Sequence, residues 1–346
     1  MAPNNTVASG VLFENDAKTE DFGLDTTPVK TASDRKMQIV WGSVLQFGLF
    51  HVAALYGAKL FFTSAKWQTD AFAFLLYIMS TLGITAGVHR LWTHRAYKAK
   101  WPLRLILIAF NTLAFQDPVM KWVRDHRLHH KYSDTDADPH NATRGFFFSH
   151  MGWLMVRKHP EVLRKGKDID LSDLYADPIV TFQKKYYMIL MPLTCFVMPT
   201  LIPAYYWNES YSTAFFVAGF FRYITLINTT FLVNSAAHMW GNKPYDKYIN
   251  PVQNISVSLL TLGEGYHNYH HAFPWDYRAA EFGFDYLNLS THFINFFSKI
   301  GWAYDLKTIQ DDIMRKRIIR TGDGSHELWG LNDKGQPKEG IENVLQ

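Results

Sequence analysis

The sequence predicts an all-α integral membrane protein: four transmembrane helices arranged as two hairpins, beneath a cytosolic helical cap. Three observations carry that expectation. There are four long apolar stretches, two very short links joining them in pairs, and one large basic segment between the pairs. A bilayer core takes about 20 predominantly apolar residues per helix. Ile39–Phe62, Ala71–Val88, Met188–Trp207 and Thr213–Val233 all qualify, interrupted only by Gln46, His51 and Lys59 in the first and Arg222 in the fourth. Leu103–Phe115 is too short to cross and contains Arg104, so an interfacial or re-entrant helix is expected there.

The links Ser64–Asp70 and Asn208–Ser212 make the hairpins. Between the hairpins, residues 89–187 hold 17 Lys and Arg, whereas the links hold only Lys66. Basic residues stay on the cytosolic side, which places that segment and both termini in the cytosol. Residues 89–187 and 234–320 then share one side and can pack as a cap. The sequon at Asn208 would face the other side, close enough to the membrane to stay unmodified. Residues 1–37 are polar and read as a disordered tail, 38–320 as the folded domain and 321–346 as a polar tail.

Composition agrees with a mixed architecture. Charged residues make up 19%, against roughly a quarter in a soluble domain, yet the mean hydropathy of −0.14 is too low for a chain that is membrane throughout. The net charge of +4, without a basic stripe, argues against a nucleic-acid partner. A single cysteine, Cys195, excludes an intramolecular disulfide and Cys-rich zinc or iron–sulfur sites.

Fifteen histidines are the anomaly. Nine fall near the cytosolic ends of the apolar segments. They are His89 and His94 in HRLWTH, His126, His129 and His130 in HRLHH, His267, His270 and His271 in HNYHH, and His238 after the fourth apolar stretch. Positions i, i+3 and i+4 share a helix face, so each HxxHH triplet can converge on one region. His89 and His94 are five apart, about 140° around a regular helix. Either the helix ends between them or they serve different ions. Nine imidazoles exceed the needs of one ion, which argues for two metals. Imidazole suits several transition metals; the membrane setting and lack of cysteine favour a redox-active iron pair. The remaining histidines, His51, His140, His150, His159, His292 and His326, read as structural. A histidine-rich transporter would carry its ligands at mid-membrane, where only His51 lies.

The three boxes, with Gly83-Ile-Thr-Ala-Gly-Val-His89, Asp136-Ala-Asp-Pro-His140, Gly145-Phe-Phe-Phe-Ser-His150 and Gly263-Glu-Gly-Tyr-His267, resemble those of membrane fatty acyl-CoA desaturases of the stearoyl-CoA type. The likeness covers roughly residues 37–325, and the terminal sequences resemble the insect Δ9 branch. The resemblance implies a di-iron centre held by all nine clustered histidines, with Asn234 holding an iron-bound water. It implies O2 as co-substrate, a fatty acyl-CoA substrate, electrons from cytochrome b5 and its NADH-dependent reductase, and an endoplasmic reticulum membrane. It places Tyr77, Thr81, Gln116, Trp122 and Thr230 along an acyl tunnel, and Arg124, Asp125, Arg157 and Lys158 at the CoA head group. Asp117, Phe231 and Thr81 depart from the commoner Asn, Trp and Ala or Gly of the family, which bears on regiochemistry and chain length rather than on the metal site. A different regiochemistry such as Δ11, or a histidine-box hydroxylase, is the alternative.

Overall fold

Four helices have the length and hydropathy to cross a bilayer. The computed structural model describes residues 37–281 and 288–326; the tail expected over residues 1–37, save its last residue, and most of the C-terminal tail lie outside them. In chain order the helices are α1 (Trp41–Thr63), α2 (Trp67–Thr93), α3 (Trp101–Ala114), α4 (Val119–Lys131), α5 (Pro178–Trp207) and α6 (Tyr211–Met239), of which α1, α2, α5 and α6 are the spans. α1 is peripheral, with Leu45, Leu49, Val52, Leu55 and Phe62 exposed, a face suited to lipid. α2 is central, with 61% of its apolar window buried against 11% for α1.

The expected boundaries shift at two places for identifiable reasons. α5 starts ten residues earlier than its apolar stretch, because Asp177 accepts from the Ile179 N–H and Pro178 follows at the first helical position. α2 runs past Val88 because its last part, Gly83–Thr93, winds as a π-helix. Further π turns occupy Leu193–Val197 in α5 and Phe215–Phe221 in α6.

The segment expected to be interfacial or re-entrant is α3, which turns by 83° into α4. Phe115 and Asp117 make the turn with positive φ, and Gln183 staples it, accepting from the Val119 N–H at 2.9 Å while its amide donates to Asn111 and Thr112. α3 lies flush against α2: a Cβ added at Gly83 would stand 2.3 Å from the Asn111 nitrogen. Leu103, Leu107 and Ile108 thereby share one core with Ile84, Val88 and Leu91.

The two hairpin links meet. Lys66 Nζ donates to the Trp207 and Asn208 carbonyls, which end α5, at 2.7 and 2.8 Å. Glu209 accepts from the Lys66 N–H and the Thr69 hydroxyl at 2.9 and 2.6 Å. At the opposite end the cap is made by α4, short helices between residues 142 and 175, and α7 (Ile255–Thr261), α8 (His267–Ala272), α9 (Leu289–Lys299) and α10 (Asp311–Thr321). A small antiparallel pair, β1 (Lys98–Ala99) with β2 (Ala303–Tyr304), joins its two halves. The first residues of the expected C-terminal tail are docked, Asp323 exchanging hydrogen bonds with Lys243.

Arg127 is the cap's main latch. Its guanidinium donates to the Trp92 and Thr93 carbonyls at the end of α2 and forks onto Asp173 at 2.7 and 3.0 Å. Burial resists the charge on Asp173, but Arg127 and Arg95 hold its carboxyl at about 2, against an ordinary 3.8. A depressed carboxylate stabilises the fold above its unfolded pKa, and that contribution is lost as pH falls through the folded one. At 1.36 kcal/mol per unit the shift is worth about 2 kcal/mol. Thermal denaturation in detergent is therefore expected to show a loss of stability between pH 4 and pH 2 that is smaller, by Asp173's share, in Asp173→Asn, which is already less stable at pH 7.

Candidate metal centre and substrate cavity

The π turn at the end of α2 decides how the first box works. A π-helix closes i→i+5 bonds, and the His94 N–H donates to the His89 carbonyl at 3.1 Å. Residues five apart therefore stack one above the other, and His89 and His94 join a single group. Wider winding, rather than two separate ions, resolves the 140° mismatch of a regular helix.

Nine buried imidazoles gather into two groups, His89, His94, His126, His130 and His270, and His129, His238, His267 and His271. Each HxxHH box is split between them. On both α4 and α8 the i and i+4 residues go to one group and the i+3 residue to the other, because i+3 and i+4 lie about 100° apart around the axis. The expectation that each triplet converges on one region thus holds only for the i, i+4 pairs. The groups touch, with the His130 and His271 rings stacked 4.2 Å apart.

Carboxylates fix which nitrogen faces inward. His89 Nδ1 meets Glu264 at 2.8 Å, His129 Nδ1 meets Asp138 at 2.8 Å, and His238 Nδ1 meets Asp134 at 3.1 Å. A carboxylate accepts, so in these three rings Nδ1 carries the proton and Nε2 presents a lone pair. Glu264 is in turn held by Arg90, which donates to it at 2.7 Å. Burial resists charge on Glu264, yet Arg90 and His89 bring its carboxyl down to about 2.

The inward nitrogens are close. Nε2 separations are 2.9 Å for His89–His270 and 3.1 Å for His270–His130, His130–His126, His238–His267 and His267–His271. Burial, and then the neighbouring rings, push His94, His126, His130, His267, His270 and His271 far below the ordinary histidine range, so these imidazoles are neutral, the form that ligates. A metal–nitrogen bond of about 2.0–2.1 Å puts nitrogens at right angles about 2.9 Å apart, and tetrahedral ones about 3.4 Å apart. The donor set therefore fits a metal ion in each group, held by its inward imidazole nitrogens.

Beside the first group lies a cavity of about 250 Å³. His89, His126 and His267 are in its lining, with Trp122, whose ring is 4.6 Å from that of His126. Gln116 and Thr230 close across it through a hydrogen bond of 3.0 Å. Thr81 and Asn234 also line it. Tyr77 does not: its hydroxyl donates to the Leu260 carbonyl at 2.6 Å and lies 3.0 Å from the Thr229 hydroxyl, so the ring faces a neighbouring apolar groove between α2, α6 and α7. Thr229 borders both spaces.

Asp125 also lines the cavity and draws in Lys158 at 2.6 Å and Arg124 at 3.0 Å. Burial alone would raise its pKa; Lys158, Lys121 and Arg124 outweigh that and lower it. Arg157 joins through its backbone, which donates to Gln38, while its side chain is exposed. Sequence reasoning missed Lys121, which pairs with Asp117, and the orienting carboxylates Asp134, Asp138 and Glu264. The last two stand inside the strings DADPH and GEGYHNYHH, and an acidic residue within a few positions of a histidine box is the signal that would have found them. His140 was read as structural; its Nδ1 lies 3.3 Å from the Asp138 carboxylate and its ring lines the cavity.

Fold and site together define a protein with four apolar helices of membrane-spanning length and two adjoining groups of buried histidines that could hold metal, beside an apolar cavity. The fatty acid desaturase family matches residues 65–291. An acyl-CoA Delta-9 desaturase of the cricket Acheta domesticus is 59% identical over 352 aligned positions, covering 100% of this chain and 98% of that protein. An acyl-CoA Delta(11) desaturase of Spodoptera littoralis is 57% identical over 91% of this chain and 92% of its own, and a stearoyl-CoA desaturase 5 of Bos taurus is 53% identical over 85% and 87%. The chain belongs to the fatty acid desaturase family.

Carboxylates that orient ligating imidazoles typically contribute 10–100-fold to metal affinity. Glu264→Gln is expected to lower the affinity of the first group by about that factor while leaving the second less affected. Chelator competition, followed by elemental analysis of the metal retained, reads both.

Proposed function

We propose that the protein is an acyl-CoA desaturase, an oxidoreductase that places a cis double bond in a saturated long-chain acyl-CoA, at Δ9. The observation that carries this reading is the cavity: a largely apolar space whose wall includes His89, His126 and His267, with Lys158 paired to Asp125 of that same wall. All nine clustered histidines are assigned as ligands of two irons, His89, His94, His126, His130 and His270 for one and His129, His238, His267 and His271 for the other. Asn234, which lines the same cavity as His267, is assigned the water of the second. Bound there, the irons supply what no side chain can, the activation of O2 to take hydrogen from an unactivated methylene.

The chain's own residues do the rest. Arg124 and Lys158, with Arg157 beside them, meet the phosphates of CoA, for which cationic donors are the natural partners. Asp125 keeps Lys158 and Arg124 in place before the ligand arrives. Gln116 and Thr230 pinch the cavity at the level of Trp122, so that the acyl chain bends there and one pair of methylenes faces the histidines. The apolar walls exclude water from the reacting carbons. Electrons come from cytochrome b5 and its NADH-dependent reductase across the cytosolic cap, in the endoplasmic reticulum membrane. The cap and both termini are assigned to the cytosol; tags before Ile39 and after Gln346 are expected to be digested when sealed microsomes are treated with protease, and protection of either would reverse the orientation.

Thr81 sets the chain length. It is 3% exposed and its hydroxyl donates to the Tyr77 carbonyl at 2.8 Å, so it adds bulk to the cavity wall where Ala or Gly would leave room. Overfilling a packed channel costs about 1–3 kcal/mol, which favours chains of sixteen carbons or fewer. Expression in a desaturase-deficient yeast, with double-bond location by mass spectrometry, tests the activity: an oxygenated product would point to a hydroxylase, and a Δ11 product to the other regiochemistry. In competition between palmitoyl-CoA and stearoyl-CoA, the wild type is expected to prefer the shorter substrate and Thr81→Ala to move the ratio toward the longer by about tenfold, the equivalent of about 1.4 kcal/mol.

A further inference from the structure

Arg222 lies within α6, in the part of the chain that crosses the apolar layer, and is 2% exposed. An arginine keeps its charge in any protein setting, and a charge there is costly. Among the described residues no carboxylate pairs with it. Its hydrogen bonds end on neutral groups: Nε on the Ala218 carbonyl at 3.1 Å, Nη1 on the Leu113 carbonyl at 3.1 Å and the Ser80 hydroxyl at 3.4 Å, and Nη2 on the Cys195 carbonyl and Sγ at 2.9 and 3.3 Å.

Those carbonyls share a property. Ala218 and Cys195 lie inside the π turns of α6 and α5, and Leu113 is the penultimate residue of α3. Helix ends and π turns leave carbonyls outside regular i→i+4 pairing, and in an apolar layer no water can satisfy them. One planar fork therefore joins α2, α3, α5 and α6 at their irregular points. On α2, α3 and α6 the joined points are next to the cavity in sequence. Ser80 precedes Thr81, Leu113 stands two residues before Phe115 and three before Gln116, and Arg222 precedes Tyr223. Thr81, Phe115, Gln116 and Tyr223 all line the cavity, and the Phe115 ring stacks on Tyr223 with centroids 4.9 Å apart.

Stability alone does not call for a cation here, since buried charges can often be replaced by apolar groups of similar size without loss. What an apolar side chain cannot do is hold three carbonyls at set distances and angles. We infer that Arg222 is a positioning residue, which fixes the cavity walls contributed by α2, the α3–α4 turn and α6, and so fixes which methylenes of the acyl chain face the histidine groups. The inference rests on the desaturase reading and adds to it a residue that touches neither substrate nor metal.

The test compares full-length wild type with Arg222→Met, Arg222→Lys and Ser80→Ala, each purified in detergent. Readouts are metal content per folded chain, palmitoyl-CoA binding without turnover, and the products of a mixture of myristoyl-, palmitoyl- and stearoyl-CoA. Arg222→Met is expected to keep both metals and bind substrate within a few-fold of wild type. Its turnover should fall by about 10²-fold, as misplacement by about 1 Å does, and its double bonds should spread to neighbouring carbons. Arg222→Lys should behave alike, because one ammonium cannot reach all three carbonyls. Ser80→Ala, which loses one contact beside Thr81, should alter the chain-length profile with a smaller loss of turnover. If Arg222→Met does not accumulate as folded protein, Arg222→Lys and Ser80→Ala decide by the same readouts. Wild-type double-bond position and chain-length profile in every variant that folds would overturn the inference. Absence of unsaturated product from the wild type itself would overturn the desaturase reading instead.

Discussion

Everything in the cap answers to one constraint: buried imidazoles whose Nε2 atoms stand 2.9–3.1 Å apart. Where Nδ1 is tied to a carboxylate, as in His89, His129 and His238, the lone pair has only the other nitrogens to face. Such lone pairs repel, and their burial costs free energy until a cation lies among them. The fold resists that cost with rigidity. Arg127 forks between α2 and Asp173, Arg90 sits behind Glu264, and Gly263 adopts a positive φ so close to Asn288 that a Cβ would stand 2.5 Å from its side-chain oxygen.

Because the π turn and the two HxxHH boxes are each short, no single element can supply a complete ligand set. The first group draws on α2, α4 and α8, and the second on α4, α6 and α8. α4 and α8 feed both. Any change that tilts either helix moves ligands of both groups at once, which makes the pair a single mechanical unit rather than two neighbouring sites.

Much of this was legible in the sequence. The four spans, their pairing and the nine histidines follow from hydropathy and spacing, since both signals survive without tertiary context. The partition of the histidines did not follow. A period of 3.6 describes His126 with His130 and His267 with His271, but His89 with His94 obeys a π period that leaves no mark on composition. Tyr77 and Thr81 share a face by spacing, yet the phenol turns to Leu260 and Thr229, a choice made by hydrogen-bond partners 183 and 152 residues away. Long-range polar partners of this kind, Asp134 for His238 among them, are where reading along the chain gives out.

The link between the hairpin loops bears on how the molecule is made. Lys66 and Thr69 emerge early in synthesis, and their partners Trp207, Asn208 and Glu209 follow some 140 residues later. Until then the first hairpin must sit in the bilayer with a cation and a hydroxyl awaiting acceptors, tolerable only because that end lies beside water. The histidine groups wait too, since His238 comes only at the end of the second hairpin and His267, His270 and His271 after it. Non-local contacts close late, so biogenesis passes through a nascent chain whose two ends are both open. A closed loop clasp would therefore mark a chain whose second hairpin has already been inserted.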